Sequence, residues 1–495
     1  MLGYLKRLVT TGAAYQAGDL VSKALAIFTL PLYTRYVSQS QYGYAETLLT
    51  QVVLVSILLR LGVGEAFVRF WFDDDDSRRR ARMTSTTVVF VGATTTVAAL
   101  VGLAFAGPLS QLQLGVRSPA LAGCALLGLW AFTNLEIAYS LLRVEERAKA
   151  YIITSVSNVV ISIALTIYLV VVRHDGAEGL LLGNFAGSTA VLVALWWIER
   201  RRIFAPLRAG AGRVGAPLRR MLGFGLPTVP ADISVYALQV IDRAYLLRVD
   251  SPAAAGLYAV AAKIATVVFV AVRGFQYAWP PLAYSVTDDD DAARLYSLVT
   301  TYYLLATGVV VAGVALLGRW ALLILAAPKF AGADAALPWL ALGWSLYGLY
   351  LVFVVIAGRS RAMARNLPAA AAGLLVNVLG IVVLVPSLGI AGAGIALCAA
   401  YAAMLGVIYA LTRRVFSVGF EWGRLVRLVG VLTGVAVAGD VLLPTGGLAG
   451  FLTRAAAFLV IGPLLAATGF FRRGEWERAR ALLGGLRARL RGPRA

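Results

Sequence analysis

Histidine occurs once and cysteine twice in this 495-residue chain. The lone His174 falls in a short polar stretch, which leaves a His-ligated metal site or histidine acid–base catalysis nothing to build on. Cys124 and Cys398 both sit inside apolar runs, where small, weakly polar residues pack helices, so buried fillers are expected and a disulfide is not. Charge is scarce as well: 14% of residues are charged, against about 25% in soluble domains. A long polar segment is also missing. The longest stretch between apolar runs, residues 199–220, is short and basic, whereas a membrane glycosyltransferase or polymerase would need a sizeable loop with catalytic carboxylates or a metal. No enzyme and no tightly bound cofactor is expected.

What the chain has in abundance is apolar residues, 60% of the total, with a mean hydropathy of +0.79. Apolar runs of membrane-spanning length recur along it, and in lipid such runs must be helices, because backbone polar groups find no water there. The fold class is therefore an all-α integral membrane protein. Expected spans are 12–34, 44–70, 82–108, 119–142, 151–172 and 179–198, then 221–247, 255–281, 294–325, 335–357, 367–386 and 391–412, and finally 425–443 and 448–471, about fourteen in all. Lys6 and Arg7 precede the first span without a small-residue cleavage site, so that helix is expected to be retained, with the N-terminus in the cytoplasm.

The 45 Lys and Arg against 25 Asp and Glu give a net charge of +20, carried mostly by alternate inter-span segments. Arg78 to Arg80, Arg200 to Arg202, Arg413, Arg414 and the tail from Arg472 to Arg494 are examples, whereas the opposite side has few, among them Arg35, Arg117 and Lys329. This is the positive-inside pattern, which places both termini in the cytoplasm and makes anionic lipid the expected partner of the charge; nucleic acid is not required. The Arg-rich, Ala- and Gly-rich composition suggests a bacterium and hence its cytoplasmic membrane.

Compared with itself at an offset of 213, the chain matches polar landmarks: Asp19 with Asp232, Arg35 with Arg248, Gly43 with Gly256, Arg60 with Arg273, Gly176 with Gly389, and Gly179 with Gly392. Acidic runs Asp73–Asp76 and Asp288–Asp291 overlap at the same offset, and each precedes a helix whose N-terminal dipole favours Asp; solvated caps are expected there in preference to divalent-metal sites. Six helices per half is an even number, so the repeat is parallel about an axis along the membrane normal. The expected organisation is an N-lobe 1–200, a cytoplasmic linker 201–220, a C-lobe 221–412, extra helices 413–471 and a basic tail 472–495.

The sequence resembles the polysaccharide-transporter type of oligosaccharide flippase (Wzx-like), in the superfamily that also holds MATE antiporters and lipid II flippases. The resemblance is carried by LPLYTRYVSQSQYGY from Leu30 to Tyr44, by LGVGEAFVRF from Leu61 to Phe70 followed by acidic residues, and by LPWLALG from Leu337 through Asn377 to PSLGIAGAG ending at Gly394. It implies two MATE-like lobes and export of an undecaprenyl-diphosphate-linked oligosaccharide by alternating access. A lipid II flippase and an ion-coupled drug exporter are the alternatives, and other polysaccharide-assembly membrane proteins are further candidate partners.

Cations within the spans are then the expected substrate ligands, since each costs roughly 2.5–3.5 kcal/mol at a helix centre and usually faces a cavity or a partner. They are Lys23, Arg60, Arg243, Lys263 and Arg273. Lys23 follows Asp19 by one helical turn and could simply pair with it; Arg60 and Arg273 lie toward helix ends and could snorkel to the headgroups. Lys263 has no acidic residue three or four positions away and leads the set. Asp242 adjoins Arg243, yet neighbours on a helix point ~100° apart and need not pair. The carboxylates Asp19, Asp232 and Glu65, with Glu46 and Glu136 behind them, are candidates for coupling to a proton or sodium gradient. Five intramembrane cations argue against a drug-cation exporter, which would want an acidic, aromatic cavity.

Overall fold

The computed structural model describes residues 27–73, 76–208, 215–359, 366–414 and 416–472. Asp19, Lys23, most of the first expected span and nearly all of the basic tail lie outside them. Among the described residues every regular element is helical. In chain order these are α1 (27–36), α2 Gln39–Arg60, α3 Val63–Trp71, α4 Ser77–Ala104, α5 Ala106–Leu114, α6 Pro119–Val144, α7 Ala148–Ile167, α8 Gly176–Arg208, α9 Gly215–Gly225, α10 Val229–Tyr245, α11 Pro252–Ser285, α12 Asp289–Leu325, α13 Leu337–Arg359, α14 Asn366–Thr412, α15 Trp422–Leu442 and α16 Gly447–Ala467. Eleven of them are long and apolar enough to cross a bilayer, or twelve if the bent pair 217–228 and 232–238 is one span. Their outward faces carry exposed Leu100, Val383 and Leu459, as lipid-facing surfaces require.

α14, with 47 residues, would be ~70 Å long if straight, more than twice the ~30 Å hydrocarbon core. It is broken at Gly389 (φ 54°, ψ −132°), which restores the two expected spans on either side and would add one to the count. The expected span 44–70 is corrected in the opposite sense. Leu61 and Gly62 both adopt left-handed conformations (φ 50° and 70°), ending α2 and starting the short α3 in a new direction. Gly62 is required there for a second reason: a Cβ on it would overlap the backbone of Gly225, and one on Gly225 the backbone of Gly62.

Two observations reproduce the 213-residue offset. Gly176 and Gly389 share φ values of 55° and 54°. A Cβ on Gly43 would strike the carbonyl oxygen of Pro252, and a Cβ on Gly256 that of Gln39; exchanging 39 with 252 and 43 with 256 maps this contact onto itself. Such reciprocity is what a twofold axis between the two glycines produces. The acidic runs serve as helix caps: Asp76 accepts from the Arg78 amide at 2.9 Å at the start of α4, and Asp288 from the Asp291 amide at 2.9 Å at the start of α12.

The chain groups into two compact units. The first comprises Met1–Ile264, Leu322–Leu340 and Asn366–Met404, and the second Ala265–Ala321, Ala341–Arg365 and Leu405–Ala495. In the second, α15 and α16 pack on α12 through Leu316, Leu428 and Ile461, and the buried Arg454 donates to the carbonyls of Leu443 and Pro444 that close α15. Arg60, Glu65, Asp232, Arg243 and Lys263 fall in the first unit.

Candidate functional site

α2 begins at a capping box, in which Ser38 accepts from the Gln41 amide at 3.2 Å and the Gln41 side chain accepts from the Ser38 amide at 3.1 Å. This start, together with the backbone contact of Gly43 and Gly256, brings α2 against α11 so that Tyr42 and Glu46, one turn apart on α2, meet Lys263. Lys263 Nζ donates to Tyr42 Oη at 2.9 Å and to Glu46 Oε1, and lies 5.3 Å from the Tyr42 ring centroid. Arg243 of α10 approaches the other Glu46 oxygen at 3.6 Å. Glu46 is 7% exposed, so a carboxylate buried between three helices is held by two cations, and the cluster has one positive charge in excess.

The cluster edges a cavity of about 200 Å³. Tyr33 of α1, Asn158, Ser162 and Thr166 of α7, and Asn184 of α8 form its polar wall, with Leu49, Val159 and Ile163 as apolar lining. Of the five cations expected at a substrate site, the structure thus brings Lys263 and Arg243 together. Arg60 ends α2 beside a second cavity, of about 310 Å³, shared with Gly62, Glu65, Val229, Asp232 and Tyr236. There Arg60 pairs with Glu65 at 3.9 Å, and Asp232 lies within electrostatic reach of both, so two expected coupling carboxylates share one arginine. Arg273 belongs to the second unit, with its guanidinium 5.0 Å from the Phe269 ring centroid and donating to Gln276 at 3.5 Å. Glu136 interacts with Tyr139 and lines neither cavity.

The sequence profile of the family described as polysaccharide biosynthesis protein matches residues 9–283, more than half of the chain. The chain belongs to that family. No individual curated protein matches the sequence. Among solved structures it is similar to the lipid II flippase MurJ in an inward closed conformation, at 13% identity and a TM-score of 0.70 over 92% of this chain and 98% of the other. It is also similar to a multidrug-resistance MATE transporter of the MOP superfamily in an inward-facing conformation, at 14% identity and 0.62 over 80% and 98%. A Vibrio cholerae MATE transporter follows at 15% identity and 0.57 over 83% and 97%. At such identities the likeness is one of fold. Family and fold together make this a multi-pass membrane protein of the polysaccharide biosynthesis family, with the helical fold that MurJ and the MATE transporters share.

Sequence reasoning missed three features of this family member. Glu46 is the partner of Lys263, 217 positions away on another helix, so no count of neighbours along one helix could find it. Asp242, 1% exposed, finds its partners on two other helices: its carboxylate accepts from Tyr258 at 2.8 Å and lies beside the buried Asn377 amide. The third is the polar wall. Asn158, Ser162 and Thr166 recur at four-residue spacing on a helix otherwise turned largely to lipid, a signal that was present in the sequence.

Proposed function

We propose that the protein is a flippase that carries an undecaprenyl-diphosphate-linked oligosaccharide from the inner to the outer leaflet of the bacterial cytoplasmic membrane by alternating access, rocking the repeat-related lobes 1–200 and 221–412 about a central cationic site. The observation that carries this reading is the Lys263–Arg243 pair on the buried Glu46 beside a polar cavity. A diphosphate offers what that cluster already binds, acceptor oxygens with negative charge, and in a low-dielectric site it competes with Glu46 for the same two cations. Glu46 then acts as the stand-in anion that keeps the cations paired while no substrate is bound, and the prenyl tail stays in lipid. Lys23 and Arg60 would serve the approach of the headgroup and Arg273 its passage through the second half of the chain. Asp19, Asp232 and Glu65 are the candidate carriers of a coupling proton or sodium ion, and the basic segments hold the inner leaflet's anionic lipids with both termini in the cytoplasm.

The test is reconstitution into liposomes with a fluorescent prenyl-diphosphate oligosaccharide, reading accessibility in the opposite leaflet. Wild type should translocate it, and Lys263→Ala should reduce the rate at least tenfold, with protein amount and fold unchanged. Translocation confined to prenyl-diphosphate muropeptide would favour the lipid II reading. Efflux of a small cationic dye without movement of any prenyl-diphosphate sugar would overturn the proposal in favour of a drug exporter.

A further inference from the structure

The cavity beside Lys263 has a wall for which a diphosphate alone has no use. α7 and α8 pack backbone to backbone: a Cβ on Gly187 would overlap Ser162, and one on Gly183 would overlap Thr166. This contact turns the polar stripe of α7 inward. Within it, Ser162 donates to the Asn184 main-chain carbonyl at 2.8 Å, and Ser188 donates to Asn158 Oδ1 at 3.1 Å. With its oxygen so occupied and one amide N–H directed at the buried Tyr139 hydroxyl, Asn158 has a second N–H left to donate. The Asn184 side chain also lines the cavity; the hydrogen bonds at this residue engage its carbonyl and leave the side-chain amide available as both donor and acceptor. Leu49 of α2 and Val159 and Ile163 of α7 add apolar lining. Neutral amides, apolar lining and a cation at the edge of one cavity match a sugar ring attached to a phosphate: hydroxyls for the amides, C–H groups for the apolar lining, the phosphate for the ammonium. The volume, about 200 Å³, is below the ~300–1,000 Å³ of pockets that enclose whole ligands, and suits a single ring.

We propose that Asn158 and Asn184 form a subsite for the first sugar of the lipid-linked glycan, a neutral pyranose, and so determine which glycans this flippase accepts. The inference rests on the flippase reading above and adds selection of the ring next to the diphosphate. Ser162 and Ser188 are positioning residues that fix the backbone of α8 and the orientation of the Asn158 amide.

The experiment measures binding of full-length protein in nanodiscs to bare prenyl diphosphate and to prenyl diphosphates bearing one glucose, galactose or N-acetylglucosamine. Wild type should bind at least one glycosylated ligand more tightly than the bare one. Asn158→Ala and Asn184→Ala should each weaken that ligand about fivefold to tenfold, the value of one or two hydrogen bonds, while changing bare prenyl diphosphate less than about twofold. Lys263→Ala should weaken both ligands together. Asn184→Ala guards against misfolding, since it removes no hydrogen bond of the side chain within the protein, and its unfolding midpoint should match wild type. A wild type that binds bare prenyl diphosphate but prefers no glycosylated form overturns the subsite and leaves the flippase reading standing, as do Asn variants that weaken both ligands equally or neither. A wild type that binds no prenyl diphosphate at all overturns both.

Discussion

Two charge clusters lie at opposite ends of α2, and they are built differently. Around Glu46 the carboxylate is buried, both of its oxygens face cations, and glycine contacts hold the helices together. Around Arg60, some 21 Å along the helix, the carboxylate of Glu65 is 45% exposed, the ion pair is 3.9 Å long, and the backbone breaks at Leu61 and Gly62. A buried, doubly paired anion is costly to disturb except by another anion, which is the property of a ligand site. A wet, loosely paired group at a helix break exchanges partners at little cost, which is the property of a place where protons or conformations change.

The sharpest way to break this contrast is Glu46→Ala. It leaves Lys263 and Arg243 facing each other without a counter-ion, and stability should fall by about 3–5 kcal/mol, toward the lower figure because Lys263 is 28% exposed. Adding Lys263→Met should recover most of that loss in thermal or denaturant unfolding in detergent; a loss below about 1 kcal/mol would mean the cluster is no more buried in effect than the one at Arg60. Next in size is Gly62→Ala at the break. Left-handed strain of about 1–2 kcal/mol adds to overlap with the Gly225 backbone, for a total of about 2–4 kcal/mol. Gly447→Ala separates the two contributions, since Gly447 has φ 69° but nothing within 4 Å of an added Cβ, and it should cost about 1–2 kcal/mol.

The two clusters also show what a linear sequence reveals. The membrane class, most spans and the intramembrane cations were legible because a bilayer forces apolar helices of fixed length and penalises every charge within them. The 213-residue offset was legible in polar and glycine landmarks, and Gly43 and Gly256, which it pairs, touch each other. The break at Leu61 and Gly62 was not, because the apolar run continues through it and only the approach of Gly225 makes the turn necessary. Nor was the pairing of Lys263, because residues at i±3 and i±4 report on one helix, whereas its partners Tyr42 and Glu46 stand on another. The four-residue stripe of Asn158, Ser162 and Thr166 lay in plain sight, but it acquires meaning only beside the glycines of α8 that turn it inward.

The smallest stability effect is expected at the looser cluster, and there it is the more informative one. Glu65→Gln removes one partner of a half-exposed pair whose median value is ~0–1 kcal/mol, so unfolding should shift by less than about 0.5 kcal/mol, and less still in 1 M salt, where the screening length is about 3 Å. Transport should respond out of proportion to that shift. Glu65 and Asp232 flank a single arginine, and replacing one carboxylate with an amide leaves that arginine with one titratable partner in place of two. In liposomes, acceleration of flipping by an imposed pH gradient should fall by at least half in Glu65→Gln, while flipping without a gradient stays near wild type. An unchanged gradient response would assign the Arg60 cluster to helix architecture alone, and the difference between the two ends of α2 would then be one of burial and not of role.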